Sequence, residues 1–374
     1  MRGILFDGEA ALVAEGLGVT DLEPAQVRVR IGAAGVCHSD VSVINGTFGA
    51  MFPPPFVMGH EGAGQVLSVG ADVTTVAPGD HVVIATIDNC GRCPVCATGH
   101  PTLCQTSKLG AAIARRNETG EEPGPGDLPA YFTYRGERIL GFANTGVFAE
   151  EVVVSQGQVV AIDKRVPFTS ACLIGCGVLT GTGAIFNRAK VYRGESVAVV
   201  GVGGIGLNVI QAARIAGATK IIAVDNNPAK ENFARQFGAT HFVDSGKYPA
   251  VASVQEISPG GVDCSVECVG HTALMREAVE MLRPGGNMVI LGVAGMEAEM
   301  AIAPFQLYQD KSIMGCRYGS SRPAFDIPAL VDLYLDGRLL LDELVSATYD
   351  LAELDRAFED LEAGKLARGV LTMG

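Results

Sequence analysis

Ten cysteines stand among the 374 residues, and four of them crowd one stretch, CGRCPVCATGHPTLC. Cys90, Cys93, Cys96 and Cys104 are spaced C-x2-C-x2-C-x7-C. Four thiolates in one short loop close a tetrahedral site that Zn2+ accepts readily, and the Gly and Pro between them supply the tight turns. Two disulfides or an iron–sulfur cluster would draw on the same residues. A reducing cytosol opposes the first, and no second cluster motif accompanies the second. We therefore read a structural zinc. A closed four-thiolate site leaves no position for a substrate, so it holds a lobe together and does no chemistry.

A second group is spread along the chain. GVCHSDVSVING brings Cys37, His38, Ser39, Asp40 and Ser42 together after an alternating run. Cys37 could be a core thiol, a redox thiol or a metal ligand. GHEGAGQVLSVGADV sets His60 and Glu61 among glycines, and GCGVLTGTG places Cys176 between two more. A lone His–Glu pair says little; the two cysteines in similar settings give it weight.

The third group is SVAVVGVGGIGLNVIQAARIAGATKIIAVD. Gly201, Gly203 and Gly206 form G-x-G-x-x-G between a strand pattern and a helix pattern, and Asp225 closes the next strand. That is the context a dinucleotide site requires. Gly201 allows the tight turn, Gly203 admits a pyrophosphate and Gly206 lets helix and strand pack closely. The helix N-terminus favours phosphate charge. Asp225 would accept hydrogen bonds from the adenosine ribose and repel a 2′-phosphate, which favours NAD over NADP.

These groups need elements to position them. Residues 2–177 read as short strands punctuated by Gly and Pro. Within them, Ser107–Thr145 is a long polar excursion, expected to be a mobile surface loop near the mouth of the cleft, its acidic run ETGEEPGPGD simply solvated. Residues 178–318 alternate apolar β-branched runs, at Ser196, Lys220, His241, Asp263, Asn287 and Ser312, with helical patterns. Six such strands imply a doubly wound parallel sheet covered on both faces. Residues 319–374 carry the helix patterns IPALVDLYLDG and LAELDRAFEDLEAG and a strand, GVLTM. This tail is too short for its own core, so it is expected to pack back on the first region. The expected domains are residues 1–177 with 319–374, and residues 178–318.

The formal net charge of −13 argues against nucleic acid and anionic membranes as partners. No apolar run reaches the roughly 18 residues of a membrane helix, and the start does not read as a signal peptide. The expectation is a cytoplasmic protein acting on a small molecule.

In order and content, GVCHSD, GHEGAG, the four-cysteine lobe, GCGVLTG, GVGGIG and IIAVD resemble the zinc-dependent medium-chain alcohol dehydrogenases over nearly the whole chain, the liver-type and glutathione-dependent branches above all. The resemblance implies an α/β protein: a GroES-like β-rich catalytic domain built from both chain ends, and a Rossmann domain between them. It implies two zinc ions and NAD. Cys37, His60 and Cys176 fall on the catalytic zinc ligands, the Cys2His set that the resemblance to alcohol dehydrogenases implies. Glu61 falls on the metal-proximal Glu, Asp40 on the Asp that orients the ligand His, and Ser39 on the hydroxyl that meets the substrate alcohol. Thr180 matches a Thr near the nicotinamide, and Lys230 and Arg368 match basic residues at the cofactor ribose and pyrophosphate. The expected dinucleotide contacts are thus His38, Thr180, Gly201, Gly203, Gly204, Ile205, Gly206, Asp225, Lys230, Val293 and Arg368. A homodimer or homotetramer, with the strand near Ser312 pairing across a two-fold axis, is also implied.

The chain departs from the liver-type pattern in places. Ser42 stands where that pattern ends its proton relay in a His, and a hydroxyl conducts a proton without holding it near pH 7. His38 replaces an Arg at the pyrophosphate. Thr86 replaces a substrate-facing aromatic. NGTFGAMFPPPFVMG lacks the acidic residue that glutathione-dependent members use on their substrate's amino group. The expected reaction is reversible oxidation of a primary alcohol, medium-chain or aromatic, to its aldehyde. The rivals are a thiol-adduct formaldehyde dehydrogenase and a non-catalytic nucleotide-binding protein, which would not need Cys37, His60 and Cys176 together. A polyol dehydrogenase fits less well, because Cys176 is a thiol where that branch typically has none. Cys172, Cys264, Cys268 and Cys316 are expected to be buried small apolar residues.

Overall fold

A computed structural model describes residues 1–47, 52–121, 124, 127–295 and 297–373. The chain divides into two compact units: Met1–Cys176 with Arg322–Gly337 and Leu341–Gly374, and Gly177–Ser321 with Arg338–Leu340.

The first unit opens with β1 (Gly3–Phe6), β2 (Ala11–Ala14), β3 (Gly18–Val19) and the long β4 (Gln26–Val36). In β4, Val27, Val29 and Ile31 are buried while Arg30 between them is exposed, the period-2 pattern of a strand with one face on the core. Burying each of those side chains contributes roughly 1.5–3 kcal/mol. Helix α1 (His38–Ile44) follows at once, capped by Cys37 and Asp40. Then come β5 (Phe56–Val57), β6 (Glu61–Val69), β7 (His81–Ile84), α2 (Pro94–Ala97), α3 (Lys108–Thr119), β8 (Phe132–Tyr134), β9 (Glu137–Gly141), β10 (Glu151–Ser155), β11 (Val159–Ala161) and α4 (Phe168–Ala171).

The second unit begins with α5 (Gly177–Gly183) and builds β12 (Ser196–Val200), α6 (Gly204–Ala216), β13 (Lys220–Asp225), α7 (Glu231–Phe237), β14 (His241–Asp244), α8 (Ala250–Ile257), β15 (Val262–Glu267), α9 (Thr272–Glu280), β16 (Leu282–Ile290), α10 (Pro304–Tyr308) and β17 (Ser312–Gly315). Its six strands are all parallel, in the order β14-β13-β12-β15-β16-β17, the doubly wound order that reverses beside the first strand. The chain then returns to the first unit with α11 (Pro323–Leu335), β18 (Val345–Asp350), α12 (Leu354–Glu362) and β19 (Arg368–Thr372). The last strand enters the first unit's main sheet, β11-β7-β6-β4-β19-β18, with β10 also on β4. Both expected helix patterns of the tail and its final strand are present.

The core of the first unit includes a chain of rings. Phe6 meets Phe56 at 5.2 Å, Phe52 meets Phe142 at 5.1 Å, and Phe142 stands edge-on to His60 at 5.3 Å. The apolar core thus runs up to the candidate site.

Ser107–Thr145 is not the loop expected. It holds α3 and the β8–β9 hairpin. Ser107 caps α3 by accepting from Gly110 N, Gly120 ends it at φ 74°, and Leu109, Ala112 and Ile113 turn inward. Polar composition had hidden a cap and a helical spacing. Asp127 of the acidic run is also engaged, accepting from Gly124 N and pairing with Arg115; Glu122, Pro123, Pro125 and Gly126 lie outside the described residues, as do Phe48–Met51 of NGTFGAMFPPPFVMG. Of the spare cysteines, Cys172 and Cys264 are buried as expected, whereas Cys268 and Cys316 are only half-buried. Burial pushes the Cys264 thiol up to about 12.

Among the described residues no single helix is long and apolar enough to cross a membrane. Ser107→Ala removes the α3 cap and is expected to cost about 1 kcal/mol locally. Hydrogen exchange should report it as faster exchange confined to Lys108–Thr119.

Candidate active site

The three sequence groups become two pockets of ligand atoms and one loop. The four-cysteine stretch folds around its own sulfurs. Cys90, Cys93, Cys96 and Cys104 offer Sγ atoms that all lie within 4.8 Å of one another. Cys90 to Cys96 and Cys93 to Cys104 are each 4.0 Å apart. A tetrahedron with Zn–S bonds of about 2.3 Å has S···S edges of about 3.8 Å, so the four sulfurs fit the ion. No cysteine is in a disulfide. Backbone N–H groups of Arg92 and Cys93 point at Cys90 Sγ, and that of Cys90 at Cys104 Sγ. Burial works against a thiolate at Cys90, but Thr106 and those N–H groups hold it down at about 6. Only a deprotonated thiol ligates.

The second pocket is assembled by strand register. β4 pairs with β6 so that Gly35 faces Glu61, and with β19 so that Val36 faces Gly369. The end of β4 therefore delivers Cys37 beside Glu61 and Arg368. A Cβ on Gly35 would come within 2.4 Å of Glu61 Oε2, so only glycine leaves room for that carboxylate. Gly59 turns the chain into His60 at φ 86°, with the Phe148 ring where a Cβ would stand. Cys176 follows a tight turn, Cys172–Gly175, that packs against β6 and β7.

Cys37, His60, Glu61 and Cys176 are all buried and offer ligand atoms within 4.8 Å of one another. His60 Nδ1 is 3.0 Å from Asp40 Oδ1, and Asp40 Oδ2 accepts from Cys37 N. This fixes the ring and leaves Nε2 buried with no partner, the arrangement of a metal-ligating His. Burial opposes protonation of His60, but Asp40 and the two thiols hold its pKa well above the ordinary value. A hydrogen bond from Cys176 lowers Cys37 well below a free thiol and raises Cys176 correspondingly. Burial pushes Glu61 up to about 7 against the pull of Arg368, which donates to Glu61 Oε2. Four acidic groups (Cys37, Cys176, Asp40 and Glu61) thus share a buried space with one Arg and one His. A divalent cation held by two sulfurs and one imidazole fits both the donor set and the charge.

The remaining expected residues fall as follows. Ser39 is half-buried on α1, its Oγ 3.9 Å from Cys37 Sγ. Ser42 lies one turn on, and His38, the first residue of α1, is exposed. Arg368, expected at the cofactor pyrophosphate, is buried here and paired with Glu61.

In the second unit, Gly201 takes φ 93°, and a Cβ on Gly206 would sit 1.9 Å from Gly201 O. Around Gly203 nothing lies within 4 Å of a Cβ position, which leaves open the approach a pyrophosphate needs. Gly204, Ile205 and Gly206 form the first turn of α6. Asp225 accepts from Val202 N, Asn227 N and, at 3.0 Å, Lys230 Nζ. Thr180 is buried on α5, and Val293 is exposed.

Three features had no expectation attached. Phe142 packs on His60. Val269 is exposed near the glycine loop, its methyl 2.5 Å from a Cβ built on Gly201. Glu267 is buried at the end of β15 and accepts from the N–H groups of Val269, Gly270 and His271. An acidic residue three before a glycine at a strand end was the signal available for Glu267.

Comparison with known proteins agrees with this construction. Residues 23–164 match the family described as alcohol dehydrogenase GroES-like domain, and residues 204–335 match zinc-binding dehydrogenase. S-(hydroxymethyl)glutathione dehydrogenase of Saccharomyces cerevisiae is 38% identical over 99% of this chain and 95% of its own length. An alcohol dehydrogenase zinc-binding domain protein from Burkholderia ambifaria superposes with a TM-score of 0.90 at 32% identity, covering 100% of this chain and 98% of that one. Benzyl alcohol dehydrogenase from Acinetobacter calcoaceticus does so with a TM-score of 0.88 at 28% identity, covering 100% and 99%. Fold and site together define a zinc-dependent dehydrogenase. The chain belongs to the medium-chain alcohol dehydrogenase family, on its glutathione-dependent-like branch.

Metal analysis should find two zinc ions per chain, falling to one in Cys37→Ala and to one in Cys93→Ser. The Cys93 variant should also melt several degrees lower, because its ion closes a loop. Loss of both ions from either single variant would contradict two separate sites.

Proposed function

We propose that the chain is an NAD-dependent alcohol dehydrogenase that reversibly oxidises a primary alcohol, medium-chain or aromatic, to its aldehyde. The observation that carries this reading is the buried Cys37–His60–Cys176 group with His60 Nε2 unpaired, in a chain that also holds the open Gly201–Gly206 loop. When bound, zinc supplies Lewis-acid polarisation of the substrate oxygen and NAD+ supplies the hydride acceptor.

The chain's own residues do the rest. Cys37 and Cys176 supply anionic sulfur and His60 a neutral nitrogen, with Asp40 keeping the imidazole oriented. Ser39 takes the hydroxyl proton first, and Ser42 conducts it onward to water without storing it. Arg368 offsets the charge of Glu61 in the buried pocket. Asp225, steadied by Lys230 and two backbone N–H groups, disfavours a 2′-phosphate and so favours NAD over NADP. His38, Thr180, Gly204, Ile205 and Val293 are assigned to cofactor contact. Assembly into a homodimer or homotetramer is supported by β17, an outer strand of its sheet, and by Phe305 and Tyr308, exposed on nearby α10. Ten free cysteines suit a reducing, cytoplasmic setting.

A second reading has equal support. Several relatives are named S-(hydroxymethyl)glutathione dehydrogenase, which favours an S-hydroxymethyl thiol adduct as the alcohol. Following NADH absorbance with octanol, benzyl alcohol and S-hydroxymethylglutathione decides between them; no reduction of NAD+ by any of the three would sink the dehydrogenase reading.

Ser42→His adds a base that is neutral, and able to take the proton, above roughly pH 6.5. Alcohol oxidation near neutral pH is expected to rise several-fold, with the gain lost below that pH. An unchanged pH–rate profile would remove Ser42 from the relay. His38→Arg adds a permanent cation at the cofactor phosphate and is expected to slow NADH release; stopped-flow displacement measures this directly.

A further inference from the structure

The first unit holds a cavity of about 890 Å3 that the dehydrogenase chemistry does not use. Its volume is that of a small-molecule site. None of Cys37, His60 and Cys176 lines it. Its wall includes Cys90 and Arg92 of the four-cysteine lobe, Ser107 at the start of α3 and Pro328 of α11.

The floor is polar and incompletely paired. Gln26 lines it and is only 3% exposed. Its Oε1 accepts from Glu23 N at 2.9 Å. Its Nε2 is near the Tyr131 hydroxyl but out of line to donate to it, and has no hydrogen-bond partner. Asp88, half-buried, also lies close enough to oppose ionisation of that hydroxyl. Ser155 donates to its carboxylate, and among the described residues no cation stands beside it. A carboxylate withdrawn from water without a counter-ion is costly. Nor is there room for it to retreat. Asn89 Nδ2 donates to Gly157 O at 3.1 Å, and a Cβ on Gly157 would stand 2.4 Å from Asn89 O and 3.2 Å from Asp88 Oδ1.

The rim shows what the cavity accepts. Lys108 Nζ lies 5.1 Å over the Tyr131 ring centroid and 4.0 Å from Glu23 Oε1. An aromatic face beside carboxylates suits a cation, and here the chain supplies its own. The Lys108 and Glu23 side chains are each about half exposed, so their pairing is weak and Lys108 is readily displaced. Val159 and Val160 of β11, both buried, give the cavity an apolar side.

We infer that this cavity is a second, non-catalytic binding site for a small organic ammonium ion. The nitrogen pairs with Asp88 and Glu23 beside the Tyr131 ring. A nearby carbonyl oxygen of the ligand accepts from Gln26 Nε2, and an apolar body rests on Val159, Val160 and Pro328. Lys108 holds the place of the cation until the ligand displaces it. The site does not depend on which alcohol the enzyme oxidises.

Leucinamide carries all three groups; 4-methylpentanamide lacks its ammonium, and 3-methylbutylamine lacks its carbonyl. Calorimetric titration of the zinc-loaded enzyme should show saturable binding of leucinamide and none of 4-methylpentanamide. Binding of 3-methylbutylamine should be about tenfold weaker, the effect of one hydrogen bond. Asp88→Asn should weaken leucinamide by about tenfold or more. Lys108→Met should tighten it about threefold by vacating the ring. Absence of saturable binding in the native enzyme overturns the inference. So does binding that Asp88→Asn leaves unchanged, which places the amine elsewhere, or binding that Lys108→Met weakens, which makes this an anion site. If Asp88→Asn does not fold, Glu23→Gln on the exposed rim replaces it, with about threefold weaker binding expected at an unchanged melting temperature; unchanged binding there equally overturns the inference.

Discussion

Everything at the site depends on β4 being hydrogen-bonded along both edges at once. β6 lies on one side, and β10 and then β19 share the other. Residues separated by more than three hundred positions, Glu61 and Arg368, meet because Glu61 pairs with Gly35 while Gly369, next to Arg368, pairs with Val36 at the end of the same strand. A one-residue slip in either pairing would invert the side chains on one wall. Small residues at the end of β4, Ala33, Ala34 and Gly35, allow the close approach, and the strand ends where Cys37 begins to cap α1. Local capping and long-range register therefore agree on one position for one sulfur.

That position is electrostatically demanding. Burying several ionisable groups together is costly unless they are paired or hold a metal. The pocket answers with three devices. Asp40 is tied to both His60 and the Cys37 backbone. Arg368 is tied to Glu61. The thiols of Cys37 and Cys176 share a hydrogen bond whose proton a metal would displace. The lobe around Cys90–Cys104 differs in kind: its sulfurs are organised by nearby backbone N–H groups within one short loop, so it needs little from the rest of the fold. The second unit solves a third problem, phosphate approach, with backbone alone: a left-handed Gly201, an unobstructed Gly203 and a Gly206 pressed against a carbonyl.

Much of this could be read in advance where the relevant distances are short in sequence. The four-cysteine spacing, the G-x-G-x-x-G loop with its helix and Asp225, and the six parallel strands all rest on local turns and on period-2 or period-3.6 patterning. The helix within Ser107–Thr145 escaped because its apolar stripe is only Leu109, Ala112 and Ile113, set among charged and small residues. Its cap at Ser107 and stop at Gly120 were present in the text all the same. The half-burial of Cys268 and Cys316 was not legible, because exposure at strand ends depends on what packs above them.

The sequence by itself determined the types of the candidate ligands, the local geometry of the four-cysteine lobe and of the glycine loop, and the order of strands and helices, because each of these is set by neighbours along the chain. Only the tertiary structure decided that Arg368 turns inward to Glu61 and that Phe142 walls His60. Those contacts join segments far apart in the chain. Burial and strand register choose them, and neither is written into any one stretch of residues.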